Sequence, residues 1–322
     1  MKKLSGLAVI LAAAAVLFTA CSKTPKIDSS KWIDNLEDGL TAAAKENKRV
    51  FVFFSVDDQD GISADLKSAV FNTEDFISSK TADFVLVNLD YSNSLFEEID
   101  AKQNGTEEEQ KEAEALSDKI QRNMVTINMY NVESSPAFYI LSKEGYVESI
   151  LDITSEDDTL EAVNNKFEEK KASLESFDNL LAATAKGSKS EKVQAIDALF
   201  EAAAPQLRQV LTPLSEQLVK LDPKNESGFV GKHVIAIANA KAIRAYVQQD
   251  PETASAEFVK AGDNQYVSAE DRQGAYYTAG YLLAQSGSQD YQAIKDLFQK
   301  SYDAAPESEH AAQIKQMMGF VA

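Results

Sequence analysis

The sequence predicts an α/β domain, a central mixed sheet covered by helices, followed by an all-α domain of helical hairpins. Between residues 50 and 151 short apolar runs alternate with helical stretches and end in a hairpin signal, the order that produces a sheet covered on both faces. Beyond about residue 172 the strand signals largely stop, and apolar stripes at helical spacing, punctuated by prolines, take over. The chain has 322 residues, 44% of them hydrophobic. That suffices for two packed cores at about 150 residues per domain.

The elements follow in order. Trp32, Leu36, Leu40 and Ala43 recur at helical spacing, and Val50 to Val56 is an apolar run of strand length. A helical stretch from about Ser63 to Ile77 comes next, then a second strand in Phe84-Val-Leu-Val-Asn-Leu89 and a long polar helical segment from about Asn93 to Asn123. Ala137-Phe-Tyr-Ile-Leu141 and Tyr146-Val-Glu-Ser-Ile-Leu151 flank Ser142-Lys-Glu-Gly145, a hairpin in which Gly145 takes positive φ. A helix with Leu160, Val163 and Phe167 on one face closes the unit, and the boundary is expected at 172/173. In the second domain Phe177, Leu180 and Leu181 start one helix, and Gly187-Ser188 breaks it. Val193, Ile196, Leu199 and Phe200 form the next stripe. The clearest pair runs from Ala275 to Ala284 and, after a Ser286-Gly287 turn, through Tyr291, Ile294, Phe298 and Ser301 to Pro306. It resembles a tetratricopeptide hairpin, but only Phe298, Ser301 and Pro306 fall at that repeat's spacing, so an irregular array of hairpins is expected.

The N-terminus reads as an export signal. Met1-Lys2-Lys3 is a charged start, Leu7 to Leu17 is an apolar run, and Phe18-Thr19-Ala20-Cys21 follows. The run is of secretory length and shorter than the roughly 20 residues of a spanning helix. The small Ala20 before the chain's one cysteine resembles a bacterial lipoprotein signal, which makes residues 1–20 the signal peptide, Cys21 the lipidated N-terminus and residues 21–30 a polar tether. Phe18 departs from the usual leucine of that pattern. The formal charge of −19 falls to −21 once Lys2 and Lys3 leave with the signal. Nucleic acid and anionic bilayer surfaces reward clustered Lys and Arg, so neither is expected as a partner. Membrane association would come from the acyl chains.

The segment Phe51-Val-Phe-Phe-Ser-Val-Asp-Asp-Gln-Asp-Gly-Ile-Ser63 runs from strand to helix start and resembles a thioredoxin-type active site with its redox chemistry removed. In that family Trp-Cys-x-x-Cys stands here. Gln59 takes the tryptophan position, and Asp60 and Ser63 take the two cysteines. Other motifs in the same order extend the resemblance over about residues 31 to 170: Lys31-Trp32, Val70-Phe71-Asn72-Thr73-Glu74-Asp75-Phe76, Phe84 to Asp90, and Tyr130-Asn131-Val132-Glu-Ser-Ser135-Pro136. The last is similar to the family's approach to its cis-proline. It implies a cis Ser135–Pro136 bond and a groove beside it that holds an extended peptide segment.

The same residues also have plainer readings. Asp60 at a helix start is an N-cap candidate, accepting a backbone N–H and favoured by the helix dipole. Asp57, Asp58 and Asp60 could gather a divalent cation instead, but with Gly61 as the loop glycine of a calcium site Val56 and Lys67 fall at ligand positions they cannot fill. Ser63 has no nearby histidine to activate it, since His233 and His310 lie in the other domain. Trp32 reads as core. The expectation is therefore an envelope lipoprotein facing the periplasm or cell surface, with domains over 31–172 and 173–322. It would have no catalytic residue, cofactor or resident metal, and its redox-inactive thioredoxin-like domain would bind a protein or peptide partner. The alternative is a metal-dependent binder or enzyme using Asp57, Asp58 and Asp60.

Overall fold

The structure is a computed structural model that describes residues 27–57 and 61–320. The signal segment, Cys21, Asp58, Gln59 and Asp60 lie outside the described residues. Helix α1 (Leu36–Glu46) leads into β1 (Arg49–Ser55), followed by α2 (Ile62–Leu66), a π-helical turn over Lys67–Phe71 and α3 (Glu74–Lys80). Then come β2 (Phe84–Asp90), α4 (Asn93–Gln103), α5 (Glu107–Met129), β3 (Ala137–Leu141) and β4 (Val147–Leu151). The sheet has the order β2-β1-β3-β4, with β1 parallel to β2 and antiparallel to β3. It is the mixed sheet the sequence predicts, and Ile33 adds a parallel bridge to Val87 at the β2 edge.

Both faces of the sheet are covered, which is why β1 reads as an unbroken apolar run. Alternate residues enter different cores. Phe51, Phe53, Leu86, Phe138 and Ile140 meet Phe71 and Phe76 on one face, while Val50, Val52, Phe54, Val87 and Leu141 meet α1 on the other. Helix α1 lies so close that a Cβ on Gly39 would stand 2.3 Å from Val87 Cγ2. Trp32 packs against the phenylalanine face and donates its indole N–H to the Phe71 carbonyl at 2.9 Å. In the hairpin turn Gly145 has φ +89°.

Three local expectations differ from the structure. The stretch from Ser63 to Ile77 is not one helix, because after the π turn Thr73 starts α3 with its own cap, its hydroxyl accepting from Phe76 N. The polar segment after Asn93 is two helices, since Thr106 and Glu109 form a reciprocal capping box that starts α5 afresh. The expected boundary at 172/173 falls within an unbroken helix, α6 (Leu160–Ala185), which no proline or glycine interrupts between its Thr159 cap and Gly187. Val163, Phe167 and Leu174 of α6 face the sheet, and Phe177, Leu180 and Leu181 continue the same stripe into the helical core.

The rest is helical: α7 (Lys189–Ala202), a 3-10 segment over Pro205–Leu211, α8 (Thr212–Leu221), α9 (Val230–Val247), α10 (Pro251–Gly262), α11 (Ala269–Gln285), α12 (Tyr291–Ala304) and α13 (Ala311–Phe320). Sequential neighbours pack as hairpins from α9 to α13. Of the expected α12 stripe, Ile294, Phe298 and Ser301 are buried, and Tyr291, the first residue of the helix, faces solvent. The halves share cores. Leu207 of the 3-10 segment packs under the sheet, and Tyr146 of the hairpin is buried among α7, α8 and α9.

Candidate functional site

The site lies where β1 and β2 end and α2 begins, the carboxyl edge at which open α/β sheets place their ligands. Gly61, with φ +78°, occupies the N-cap of α2 and has no side chain to cap the helix. The capping expectation for Asp60 lies outside the described residues; the left-handed backbone at Gly61 is one that glycine adopts without strain. Ser63 then falls in the first turn of α2 and is fully buried. Its hydroxyl accepts from Val56 N at 3.2 Å and stands 3.4 Å from Ser135 Oγ. The Ser135–Pro136 bond is cis. The structure thus brings together Ser63, Ser135 and Pro136, three of the four positions singled out in the sequence.

Tyr91 completes the surface. Its hydroxyl bonds to Ser135, and burial pushes the phenol pKa up, with the Ser135 bond opposing and the Asp90 charge adding to the rise. Its backbone N donates to the Ser55 carbonyl at 3.1 Å. Beneath these hydroxyls is a charged lattice. Lys67, on the π turn, donates to both oxygens of Asp57 at 2.7 and 2.9 Å and reaches Asp90 Oδ2 at 3.5 Å. Ser92 receives the Asp57 N–H at 2.8 Å and donates its own hydroxyl to Asp90 at 2.5 Å. Asn123 of α5 donates to the Asp90 carbonyl at 3.0 Å.

This arrangement limits the chemistry. Among the described residues no base contacts Ser63, whose hydroxyl meets a backbone N–H and a second hydroxyl and so has no group there to draw off its proton. Lys67 supplies the positive charge that a cation would bring to Asp57, and its ammonium is engaged by two carboxylates. Among the described residues no group of three His, Cys, Asp or Glu side chains could hold a metal. With one cysteine in the chain there is no CxxC pair. Tyr91, Lys67, Ser92 and Asn123 were missed in the sequence. Lys67 alone carried a signal there, as the residue that spoils a calcium loop begun at Val56.

Comparison with known proteins agrees with the architecture. A family described as a thioredoxin-like domain matches residues 36–159, and one described as an uncharacterised protein C-terminal domain matches residues 229–321. An uncharacterized protein of Treponema pallidum (strain Nichols) is 23% identical over 200 residues, 61% of this chain and 65% of the relative's own length. The match therefore spans just under two thirds of that protein. No solved structure matches. The chain carries a thioredoxin-like domain over residues 36–159, without a CxxC pair, followed by an all-helical C-terminal domain.

Proposed function

We propose that this is a membrane-anchored lipoprotein of the cell envelope whose thioredoxin-like domain binds protein or peptide segments and performs no thiol chemistry. The observation that carries the reading is Ser63 Oγ standing 3.4 Å from Ser135 Oγ. Disulfide exchange needs a thiolate that attacks sulfur. Here a hydroxyl occupies the second cysteine position, and a second hydroxyl faces it from the residue before the cis-proline. What the site retains is shape. The pairing of β3 with β1 begins at Ala137, so residues 133–135 lie outside the ladder, where an extended segment can add strand-type hydrogen bonds. Cys21 after a short apolar run supports the anchor. Among the described residues no helix is long and apolar enough to cross a membrane. The alternative, a metal-dependent role for Asp57, Asp58 and Asp60, is disfavoured by Lys67, which already holds both Asp57 oxygens.

The test is cross-linking in the producing cell from a benzoylphenylalanine placed at Ser135, with one at the remote, exposed Gln299 as control. Adducts to a polypeptide should form from position 135 and not from 299; equal adducts, or none at 135, would remove the groove from the account. The purified chain should leave insulin disulfides intact, and Cys21→Ser should shift it out of the membrane fraction. Calcium, magnesium or zinc should leave its Tm unchanged, because only an ion bound to the folded state would raise it.

A further inference from the structure

We propose that the helical domain carries a second docking site, a trough between α9, α11 and α13 that takes an extended polypeptide segment bearing lysine or arginine beside an apolar side chain. The trough encloses about 780 Å³ and has Ile235, Phe258, Ala275 and Ile314 along its floor. Its rim is acidic, with Glu270 and Asp271 at the start of α11 and Glu307 and Glu309 before α13. Among the described residues no lysine or arginine lines it, and the imidazole of His310, 3.6 Å from Glu309, is the one group there able to take a positive charge. Carboxylates at the lip of a low-dielectric trough concentrate a field that selects a cation.

A neighbouring hollow of about 540 Å³ shares Ile235, Asn239 and Asp271 and leads to Asn128 and Asn131 of the thioredoxin-like domain, so the trough is open toward the first half of the molecule. The cations of that hollow are engaged already. Arg208 pairs with Glu201 at 2.9 Å, and Lys232 pairs with Asp197 at 2.7 Å and with Glu201. A larger hollow between α10 and α12, about 920 Å³, sets Lys260 and Lys300 among its carboxylates. Its field is compensated from within.

Two further observations select a polypeptide over a small cation. Gly274 lies inside α11 on the trough wall, and an added Cβ there would meet nothing within 4 Å. Glycine inside a helix costs about 0.5–1 kcal/mol relative to alanine. Gly231 and Gly262 have a packing reason, since a Cβ at Gly231 would stand 2.2 Å from the Tyr266 carbonyl and one at Gly262 2.7 Å from the Tyr276 ring, whereas Gly319 near the end of α13 is as open as Gly274 but does not line the trough. Gly274 has none within the fold, and a bare wall is what close approach of another backbone requires. The side chain of Asn239 lines both hollows, is exposed, and makes no hydrogen bond among the described residues. A side-chain amide offers one donor face and one acceptor, the complement of a peptide group.

The test uses the full chain and a fluorescein-labelled peptide, Gly-Lys-Leu-Lys-Ile-Lys-Gly, read by anisotropy at low salt, with a partner peptide in which glutamate replaces lysine. The lysine peptide should bind and the glutamate peptide should bind at least about tenfold more weakly. Gly274→Phe fills the trough without removing any contact and should weaken binding at least about tenfold, while Gly274→Ala, which favours the helix, reports that the fold tolerates change at this position. Glu270→Gln with Glu307→Gln should weaken binding and flatten its salt dependence. Ser135→Arg, in the other groove, should leave it unchanged. The proposal is overturned if the lysine peptide stays unbound up to about 1 mM, if Gly274→Phe binds as wild type does, if the glutamate peptide binds equally, or if Ser135→Arg abolishes binding.

Discussion

In the thioredoxin-like half, one face of the sheet is filled with phenylalanine: Phe53 and Phe138 stack at 4.7 Å and Phe71 and Phe76 meet edge to face at 4.9 Å. In the helical half, the corresponding surface between α9, α10 and α11 is built from alanine, with Ala238, Ala242, Ala254, Ala275 and Ala279 buried together. The difference follows from geometry. A helix covering a sheet leaves a gap that large side chains must fill, whereas the spacing of two helices, about 8–10 Å, is set by the side chains at the crossing. Small residues bring α9, α10 and α11 close. The first core is therefore exposed to loss of volume and the second to its addition.

The largest expected effect is in the first. Phe71 is fully buried and touches Trp32, Phe51, Phe53, Phe76 and Phe138, so Phe71→Ala should cost about 3–5 kcal/mol in urea unfolding. A loss below about 1 kcal/mol would show that this core collapses around voids as loosely packed ones do.

Next in size is a pair of opposite pH dependences. Glu148 on β4 is buried against Arg49 of β1, whose Nε donates to it at 2.6 Å while its other arm holds Asp178 of α6. Burial pushes the Glu148 pKa up from 4.5 to about 7, with the Arg49 hydrogen bond opposing. The folded state holds the extra proton, so this contribution is complete below pH 4.5 and is lost as pH rises through 7. It amounts to at most about 3 kcal/mol. In the helical half His233 of α9 is fully buried, with Nδ1 2.9 Å from Ser215 Oγ and Nε2 3.1 Å from Asp197. Burial lowers its pKa below 6.5, with Asp197 opposing. Its contribution is complete above pH 6.5 and is lost as pH falls. Subtracting the Tm profile of Glu148→Gln from that of wild type should give a curve that falls between pH 5 and 8, and subtracting His233→Gln one that rises. Curves of the same sign would mean that one of the two groups is charged in the folded protein.

Addition of volume should hurt the second core. Ala254→Leu places a larger side chain where α10 meets its neighbours, and should cost about 1–3 kcal/mol in urea unfolding. A neutral result would mean that the helices part easily and that alanine does not set their spacing.

The contrast also explains what the sequence revealed. Phe51 to Val56 announced a strand because both faces of β1 are buried, and Gly145 announced its turn because the hairpin needs positive φ. Alanine contributes little to any apolar stripe, so α9 and α10 left no clear period, whereas α11 was read from its pairing with the following helix. The continuity of α6 was legible in principle, since Val163, Phe167, Leu174, Phe177 and Leu181 form one stripe, but Lys170-Lys171 interrupts it to the eye. In the site, Ser135-Pro136 and Ser63 were read from local motifs. The Lys67 to Asp57 pair was not, because it closes across a turn between two elements and depends on a π segment that no residue pattern announces.

The smallest effect checks that the halves differ in their cores and not in local helix physics. Among the described residues each contains a capping box of nearly the same geometry. Thr106 N donates to Glu109 at 2.6 Å and Thr106 Oγ1 accepts from Glu109 N at 3.3 Å; Ser188 N donates to Glu191 at 2.7 Å and Ser188 Oγ accepts from Glu191 N at 3.3 Å. Both boxes are exposed, and both satisfy N–H groups that the following helix leaves without a partner. Thr106→Ala and Ser188→Ala should therefore each cost about 1 kcal/mol, equal within a few tenths, when measured by urea unfolding at one pH. If Ser188→Ala cost much more, the start of α7 would owe its position to that cap, and the second core would be weaker than its buried alanines imply. If Thr106→Ala cost nothing, the hairpin of α4 and α5 would open independently of the sheet, because a cap affects global stability only when its helix unfolds with the rest.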